Sequence, residues 1–146
     1  MTGTWQDFVA EAPELAAAVK ARFEAGRHHV LATLRTDGAP RVSGTEIDFS
    51  DGEAFLGMMP GSVKARDLGR DGRFALHAHT GDGSMLGGDA KVAGVAVEVD
   101  PPPAPPSHRY HLMLSEAVLT SVHPDGDRLV IETWRPGSGV KRVERA

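Results

Sequence analysis

The sequence predicts a mainly β protein: an antiparallel barrel of six or seven strands, with an N-terminal helix and a short internal helix. Its length of 146 residues fits one domain with its own core, so we treat residues 1–146 as a single unit. Short apolar runs with strand-like alternation recur along the chain, and tight-turn sequences such as "TDGAP", "SDGE" and "PDGD" separate them. Short antiparallel strands joined by tight turns are typical of barrels.

The N-terminal helix is predicted over residues 4–25. Its apolar residues recur at helical spacing, and they are Phe8, Leu15, Val19 and Phe23. Gly26 follows, and glycine commonly ends helices. Pro13 lies inside the pattern, so we expect a break or a kink near it.

Strands are predicted through most of the remaining chain. We expect them at about 28–35, 40–49, 53–59, 73–80 and 91–100, and within 111–123 and 128–134. A short helix at about 62–70 interrupts the series. The stretch "PPPAPPS", residues 101–107, is unsuited to a sheet or a helix interior, so it should form an extended connection.

The composition excludes several classes of function. The chain contains no cysteine, so it has no disulfide, thiolate metal site or cysteine nucleophile. A net charge of −4 argues against a nucleic-acid partner, because phosphate contacts dominate that affinity. No apolar run approaches the ~18 residues of a membrane helix, and the first residues lack the apolar stretch of a signal peptide. We therefore expect a cytoplasmic protein that does not bind membranes.

The stretch "MMPGSVKARDL", residues 58–68, places cations where a helix should begin. Ser62 is a suitable N-cap, and Lys64 and Arg66 follow in the first turn. Cations there oppose the helix macrodipole, at a cost of about 0.3–1 kcal/mol each. One interpretation is an anion site, in which first-turn N–H groups and Lys64 hold a phosphate or a carboxylate. The other is a plain surface helix with solvated cations, and the residues alone leave both open.

The residues before this helix also suit a ligand site. Gly57, Pro60 and Gly61 allow a ligand to approach the backbone closely. Met58 and Met59 offer a soft, adaptable apolar surface. We therefore expect the segment from Met58 to Gly61 to lie beside any bound group.

The histidines and Trp134 each allow a functional and a structural interpretation. The seven histidines show no motif that brings three or four ligands together, so we predict no metal site. Trp134 fits either core packing or stacking against a cofactor, and its position in the sequence does not decide between them.

The order of the motifs resembles the pyridoxamine 5′-phosphate oxidase-like family, the FMN-binding split β-barrels, and its actinobacterial-type members in particular. The resemblance covers about residues 20–145 and rests on "VLATLRTDGAPRVS", "AFLGMMPGSVKARDL", "RFALHAHT", "DAKVAGVAVEV" and a terminal strand ending in Trp134. It implies a split β-barrel and a homodimer with two flavin sites at the subunit interface. The cofactor would be FMN or, as in some actinobacterial members, a deazaflavin.

The resemblance also implies roles for individual residues. In the family, the segment after the third strand contacts the flavin phosphate, and here it contains Gly61, Ser62 and Lys64. Arg41, at the start of the second strand, matches a further phosphate partner. The oxidases proper carry an arginine one position before Lys64, where this chain has valine, and Arg66 is the candidate to compensate.

At the C-terminus, the resemblance separates this chain from the true oxidases. Arg145 matches a flavin-binding arginine, and Lys141 stands where an arginine holds the substrate phosphate. Val143 replaces the substrate-binding histidine, which argues against oxidation of pyridoxamine phosphate. The resemblance thus implies a flavin-dependent oxidoreductase acting on another small molecule. The alternatives are a non-catalytic flavin- or ligand-binding protein and a dimeric barrel without cofactor.

Overall fold

The computed structural model describes residues 1–146 and contains three helices. They are α1 (Trp5–Glu11), α2 (Pro13–Glu24) and α3 (Val63–Arg70). A capping box begins α1: the Thr4 side chain accepts a hydrogen bond from the Asp7 backbone N–H, and the Asp7 carboxylate accepts one from the Thr4 N–H. Pro13 is the first residue of α2, where its missing N–H costs no helical hydrogen bond. The predicted N-terminal helix and its break near Pro13 are confirmed.

Nine antiparallel strands, β1 to β9, make up most of the remaining fold. Their bounds are His29–Leu34, Pro40–Thr45, Asp48–Ser50, Glu53–Met58, Arg73–His77, Asp89–Glu98, His108–Val122, Leu129–Arg135 and Gly139–Arg145. The expected number of six or seven was too low, because the strand predicted at 40–49 breaks at Glu46 and Ile47 and because the tail pairs with β8. β9 is largely charged and almost wholly exposed, so its sequence carries no apolar alternation that would indicate a strand.

The strands form one sheet whose two end strands, β2 and β3, follow each other directly in the chain. Its order is β2-β1-β5-β6-β7-β4-β3, with β8 and β9 attached through β7. One edge of β7 pairs with β6, while the other pairs first with β4 and then with β8, so the sheet divides there. Only Glu46 and Ile47 separate the two ends of the path, so Thr45 and Asp48 lie at most about 11 Å apart. The fold is therefore a split β-barrel with flanking helices, as predicted.

The core lies between this sheet and the first two helices. α1 and α2 contact β4, β6 and β7, and they bury Phe8, Val19 and Phe23 completely. Each such side chain contributes about 1.5–3 kcal/mol to stability through burial. The ring of Phe8 stacks on that of Trp134, with 4.6 Å between their centroids. None of the three helices combines the length and the apolar character that a membrane crossing requires.

Candidate functional site

A tight turn at residues 59–62 places the start of α3. The Ser62 N–H donates to the Met59 carbonyl at 3.2 Å. Pro60 and Gly61 occupy the two central positions, and Gly61 has a φ of 71°, as a type II turn requires. The Ser62 hydroxyl then accepts a hydrogen bond from the Ala65 N–H at 3.3 Å and caps the helix. Pro60 and Gly61 therefore shape the approach to α3, and the helix begins where the sequence predicted.

A cavity of about 300 Å³ opens at this helix start, between the ends of β2 and β4. We call it the α3 cavity. Its lining residues are His28, Gly44, Thr45, Glu46, Gly57, Met58, Met59, Ser62 and Lys64. Of the predicted site residues, the structure thus brings Met58, Met59, Ser62 and Lys64 together. The cavity lies where the two ends of the sheet meet, a place that no single sequence segment defines.

Lys64 carries the uncompensated charge of the α3 cavity. Its Nζ donates to the Gly44 carbonyl at 2.6 Å, and no carboxylate lies within 4.0 Å of it. Glu46 also lines the cavity, but it is paired with Arg27 at 2.6 Å. The N–H groups of Val63 and Lys64 have no acceptor within the helix, because they belong to its first turn. This set of donors suits a phosphate or a carboxylate.

Two strand glycines line the same cavity without a structural need to be glycine. Gly44 lies in β2 and Gly57 lies in β4. Neither has a positive φ, and a Cβ built at either position meets no other atom within 4 Å. Glycine inside a strand weakens it, so these two residues lower stability without relieving a clash. The open space beside the backbone of these two glycines, one on each side of the cavity, would allow a ligand to approach both strands closely.

Asp67 fixes α3 to the barrel and also holds Arg41. This carboxylate is only 2% exposed. It accepts hydrogen bonds from Thr33 Oγ1 at 2.8 Å, Arg41 Nε at 2.7 Å and Arg70 Nη2 at 3.1 Å. Burial would raise the pKa of Asp67, but the bonds from Thr33, Arg41 and Arg70 outweigh it and hold the pKa below its ordinary value. Arg41 is therefore occupied by Asp67 and is not among the residues that line the α3 cavity.

The remaining predicted residues lie away from the cavity. Arg66 is exposed on α3 and has no ion pair or side-chain hydrogen bond. Trp134 is 0% exposed, and its Nε1 donates to Glu11 Oε1 at 3.3 Å. Its ring has no free face for a ligand, so the structure assigns Trp134 to the core. Arg145 is exposed near the C-terminal end of β9, opposite Leu129 of β8.

Five lining residues were not among the predicted site residues: His28, Gly44, Thr45, Glu46 and Gly57. Three of them follow one another at the end of β2 and into the break before β3. One signal was present, because an isolated glycine inside a strand pattern indicates a bulge or a close approach by another group. The sequence contained no sign that this strand end faces α3.

A second cluster of polar side chains does not resemble a binding site. His123, Asp125 and Asp127 bring candidate metal ligands within 4.8 Å of one another. Arg128 Nη1 lies 2.6 Å from Asp127 and 3.5 Å from Asp125, so both carboxylates are already ion-paired with the arginine. The cluster is therefore an ion-paired turn on the surface.

Comparison with known proteins shows which solved structures share this fold. No family model and no curated protein matches the chain. Solved structures match most of it, among them PhzG from Burkholderia lata in complex with tetrahydrophenazine-1-carboxylic acid, at 17% identity and a TM-score of 0.64 over 94% of this chain and 90% of that one. A pyridoxamine 5′-phosphate oxidase-related, FMN-binding protein from Nostoc punctiforme matches at 11% identity and a TM-score of 0.62, over 92% of this chain and 96% of that one. HutZ, the heme storage protein from Vibrio cholerae, matches at 14% identity and a TM-score of 0.55, over 71% of this chain and 89% of that one. At these identities the likeness establishes the split-barrel fold alone.

Proposed function

We propose that the α3 cavity binds the phosphate of FMN, or of a deazaflavin, and that the protein is an oxidoreductase acting on a small molecule. The observation that carries this proposal is the uncompensated Lys64 beside the free first-turn N–H groups. The motif order of the sequence supports it, and so does a fold shared with an FMN-binding protein. A bound flavin would supply hydride transfer at its ring, so the chain need not provide an acid or a base.

The chain's own residues have separate tasks in this proposal. Ser62 and Lys64 bind the phosphate, together with the backbone N–H groups of the first turn. Gly44 and Gly57 leave room for the cofactor to lie against the strands. Met59 is 77% exposed at the mouth of the cavity and offers an apolar wall. Arg66 adds a second cation on the solvent side, whereas Arg41 acts mainly through Asp67 on the position of α3.

A homodimer completes the site in this proposal. Strand register places Val42, Ala32, Ala75 and Ala93 in one row across β2, β1, β5 and β6. This row is apolar and exposed or half-buried, and the neighbouring Val30 pairs with Gly44 of the α3 cavity. A second copy seated on this face would cover the valines and narrow the cavity. Arg145, which does not line the cavity of its own chain, could contribute only to that of the second copy.

The test begins with the visible absorption spectrum of the purified protein and a titration with FMN and with the deazaflavin. The key variant is Lys64→Ala, and its control is Arg35→Ala, which removes an exposed cation without an ion pair from the connection between β1 and β2, outside the cavity. We expect Lys64→Ala to lose about 1.5–3 kcal/mol of cofactor affinity, roughly 10- to 150-fold, and the control to lose none. Equal affinity in both variants would remove Lys64 from the site, and no binding of either cofactor would refute the proposal.

A non-catalytic carrier is the second candidate, favoured by the shared fold with a heme storage protein. The same purified protein distinguishes the two functions. An oxidoreductase loaded with FMN should accept electrons from a nicotinamide donor or pass them to a dissolved acceptor faster than free FMN does. A carrier should bind the cofactor without any such acceleration.

A further inference from the structure

A second groove adjoins the α3 cavity on the other side of the β4 end. It has a volume of about 310 Å³, and we call it the proline groove. Its lining residues are Gly57, Met58, Met59, Pro102, Pro103, Ala104, Ser107, His108 and Arg109. Gly57, Met58 and Met59 line both spaces. A molecule in the proline groove would therefore lie next to one bound in the α3 cavity.

The basic side chains of the proline groove already have carboxylate partners. His108 Nδ1 lies 2.9 Å from Glu98 Oε1. Arg109 Nη2 lies 2.9 Å from Asp48 Oδ2, and the same guanidinium lies 4.0 Å from the centre of the Phe55 ring. An anionic ligand would have to displace one of these carboxylates, whereas Lys64 in the α3 cavity has none to displace. The two adjoining spaces thus differ in charge.

The wall opposite the strands offers almost no hydrogen-bond donors. Five of the six residues 101–106 are proline, and proline has no backbone N–H. The Ser107 N–H is bonded to the Ala104 carbonyl at 3.0 Å, which leaves the Ala104 N–H and the Ser107 hydroxyl. A carboxylate or phosphate buried against this wall would lose its hydration and gain at most these two uncharged donors. The wall therefore favours an uncharged ligand with one polar group.

The volume limits the size of that ligand. A cavity of about 150 Å³ holds one benzene molecule, so about 310 Å³ accommodates one or two rings. Proline rings offer a rigid apolar surface and the Met59 thioether an adaptable one, and both can pack against an aromatic face.

From these features we propose that the proline groove is the substrate site and that its substrate is a neutral aromatic molecule of one or two rings. The substrate role rests on the proposed function, because it requires a cofactor in the adjoining α3 cavity. The ligand preference rests only on the groove itself. The two statements can therefore fail independently.

The experiment compares 1-naphthol, which is neutral at neutral pH, with 1-naphthoate, an anion of nearly the same size. Each is titrated by fluorescence into the full-length protein, before and after saturation with FMN. With FMN filling the α3 cavity, we expect 1-naphthol to bind at least about tenfold more tightly, because the carboxylate then finds no free cation and only the Ala104 N–H and the Ser107 hydroxyl as donors. We also expect FMN to leave 1-naphthol binding intact.

A variant tests the charge argument directly. Ala104 is exposed in the proline-rich connection, so Ala104→Arg should not disturb the core. We expect it to add an unpaired cation to the groove and to shift the preference towards 1-naphthoate. Ala104→Gln is the matched control, because it adds a long polar side chain without charge and should not produce this shift.

The outcomes separate the two proposals. FMN binding without 1-naphthol binding, or equal binding of the two naphthalenes, overturns the inference and leaves the cofactor site standing. Competition between FMN and 1-naphthol also overturns it, because the groove would then hold the cofactor ring. Selective 1-naphthol binding without any FMN binding supports the ligand preference and refutes the cofactor site.

Discussion

Replacing Gly57 by alanine should strengthen the fold and weaken cofactor binding at the same time. Gly57 lies in β4 and lines both the α3 cavity and the proline groove. Its backbone does not require glycine, since its φ is not positive, and its surroundings do not require it either, since an added Cβ meets no atom within 4 Å. If Gly57 served only the fold, its replacement by alanine would not raise stability while lowering the affinity for the cofactor.

The size of both effects follows from the structure. Glycine inside a strand is destabilising by about 0.5–1 kcal/mol relative to alanine, and no clash at Gly57 offsets this gain. The free energy of unfolding should therefore rise by that amount, which raises the melting temperature by about 1–4 °C in a domain of this size. A methyl group that takes space from a bound cofactor should cost about 1–3 kcal/mol of affinity, roughly 5- to 150-fold.

Thermal unfolding of the cofactor-free protein and titration with FMN measure the two effects. Gly44→Ala should behave in the same way, because Gly44 faces the same cavity and also lacks a close neighbour. Gly94→Ala is the contrasting control: its Cβ would lie 1.9 Å from the Met113 carbonyl oxygen, so this variant should lose stability. If both Gly57→Ala and Gly44→Ala bind FMN as tightly as the unaltered protein, a cofactor does not approach these strands and the assignment of the cavity is wrong.

The remaining predictions concern charge. Asp67→Asn should lower the free energy of unfolding by about 1–3 kcal/mol at neutral pH. Folding lowers the pKa of Asp67 from its ordinary value of 3.8, so this loss of stability should be fully present above pH 3.8 and should shrink as the pH falls below it. Denaturant unfolding of both proteins across this pH range measures the difference. His29 is buried, and its Nδ1 accepts the His79 N–H at 2.9 Å. Burial lowers the pKa of His29 below its ordinary value of 6.5, and the nearby His79 contributes to this shift. The stability of the protein should therefore be unaffected by this group above pH 6.5 and should fall as the pH drops below 6.5. In the variant His29→Gln, the melting temperature should depend less on pH over that range. Lys64→Glu should abolish FMN binding in the same titration, because it replaces the cation that holds the phosphate by an anion at the start of α3.

Local sequence patterns predicted the parts of the fold that depend on local chemistry. The break at Pro13 and the start of α3 after Ser62 follow from proline geometry and from capping, which act within a few residues. β9 was missed because a charged, exposed strand is stabilised by pairing with β8 rather than by its own apolar pattern. The split of the sheet along β7 is likewise a property of pairing, since one long strand shares its edge between β4 and β8.

The same distinction explains the candidate site. Met58, Met59, Ser62 and Lys64 adjoin one another in sequence, and all four line the α3 cavity. Gly44 completes the opposite wall from a strand 20 residues away, through a contact that exists only after the barrel closes. Trp134 shows the reverse case, because an aromatic residue near the end of a strand can face a ligand or the core, and here Phe8 on α1 covers it.

The cations at the start of α3 are not needed to hold that helix in place. Asp67 ties its buried side to the barrel through Thr33 and Arg41, Arg70 of the same helix donates to the Leu34 carbonyl at 2.6 Å, and the Tyr110 hydroxyl donates to the Ala65 carbonyl at 3.1 Å. By contrast, Lys64 makes one bond to a backbone carbonyl and Arg66 makes none. Two cations at a helix start oppose its dipole by about 0.3–1 kcal/mol each; the bond from Lys64 to the Gly44 carbonyl offsets its share of that cost, whereas Arg66 gains nothing in return. A bound anion reverses the sign of that interaction for both cations, so the start of α3 suits a complex better than the free protein.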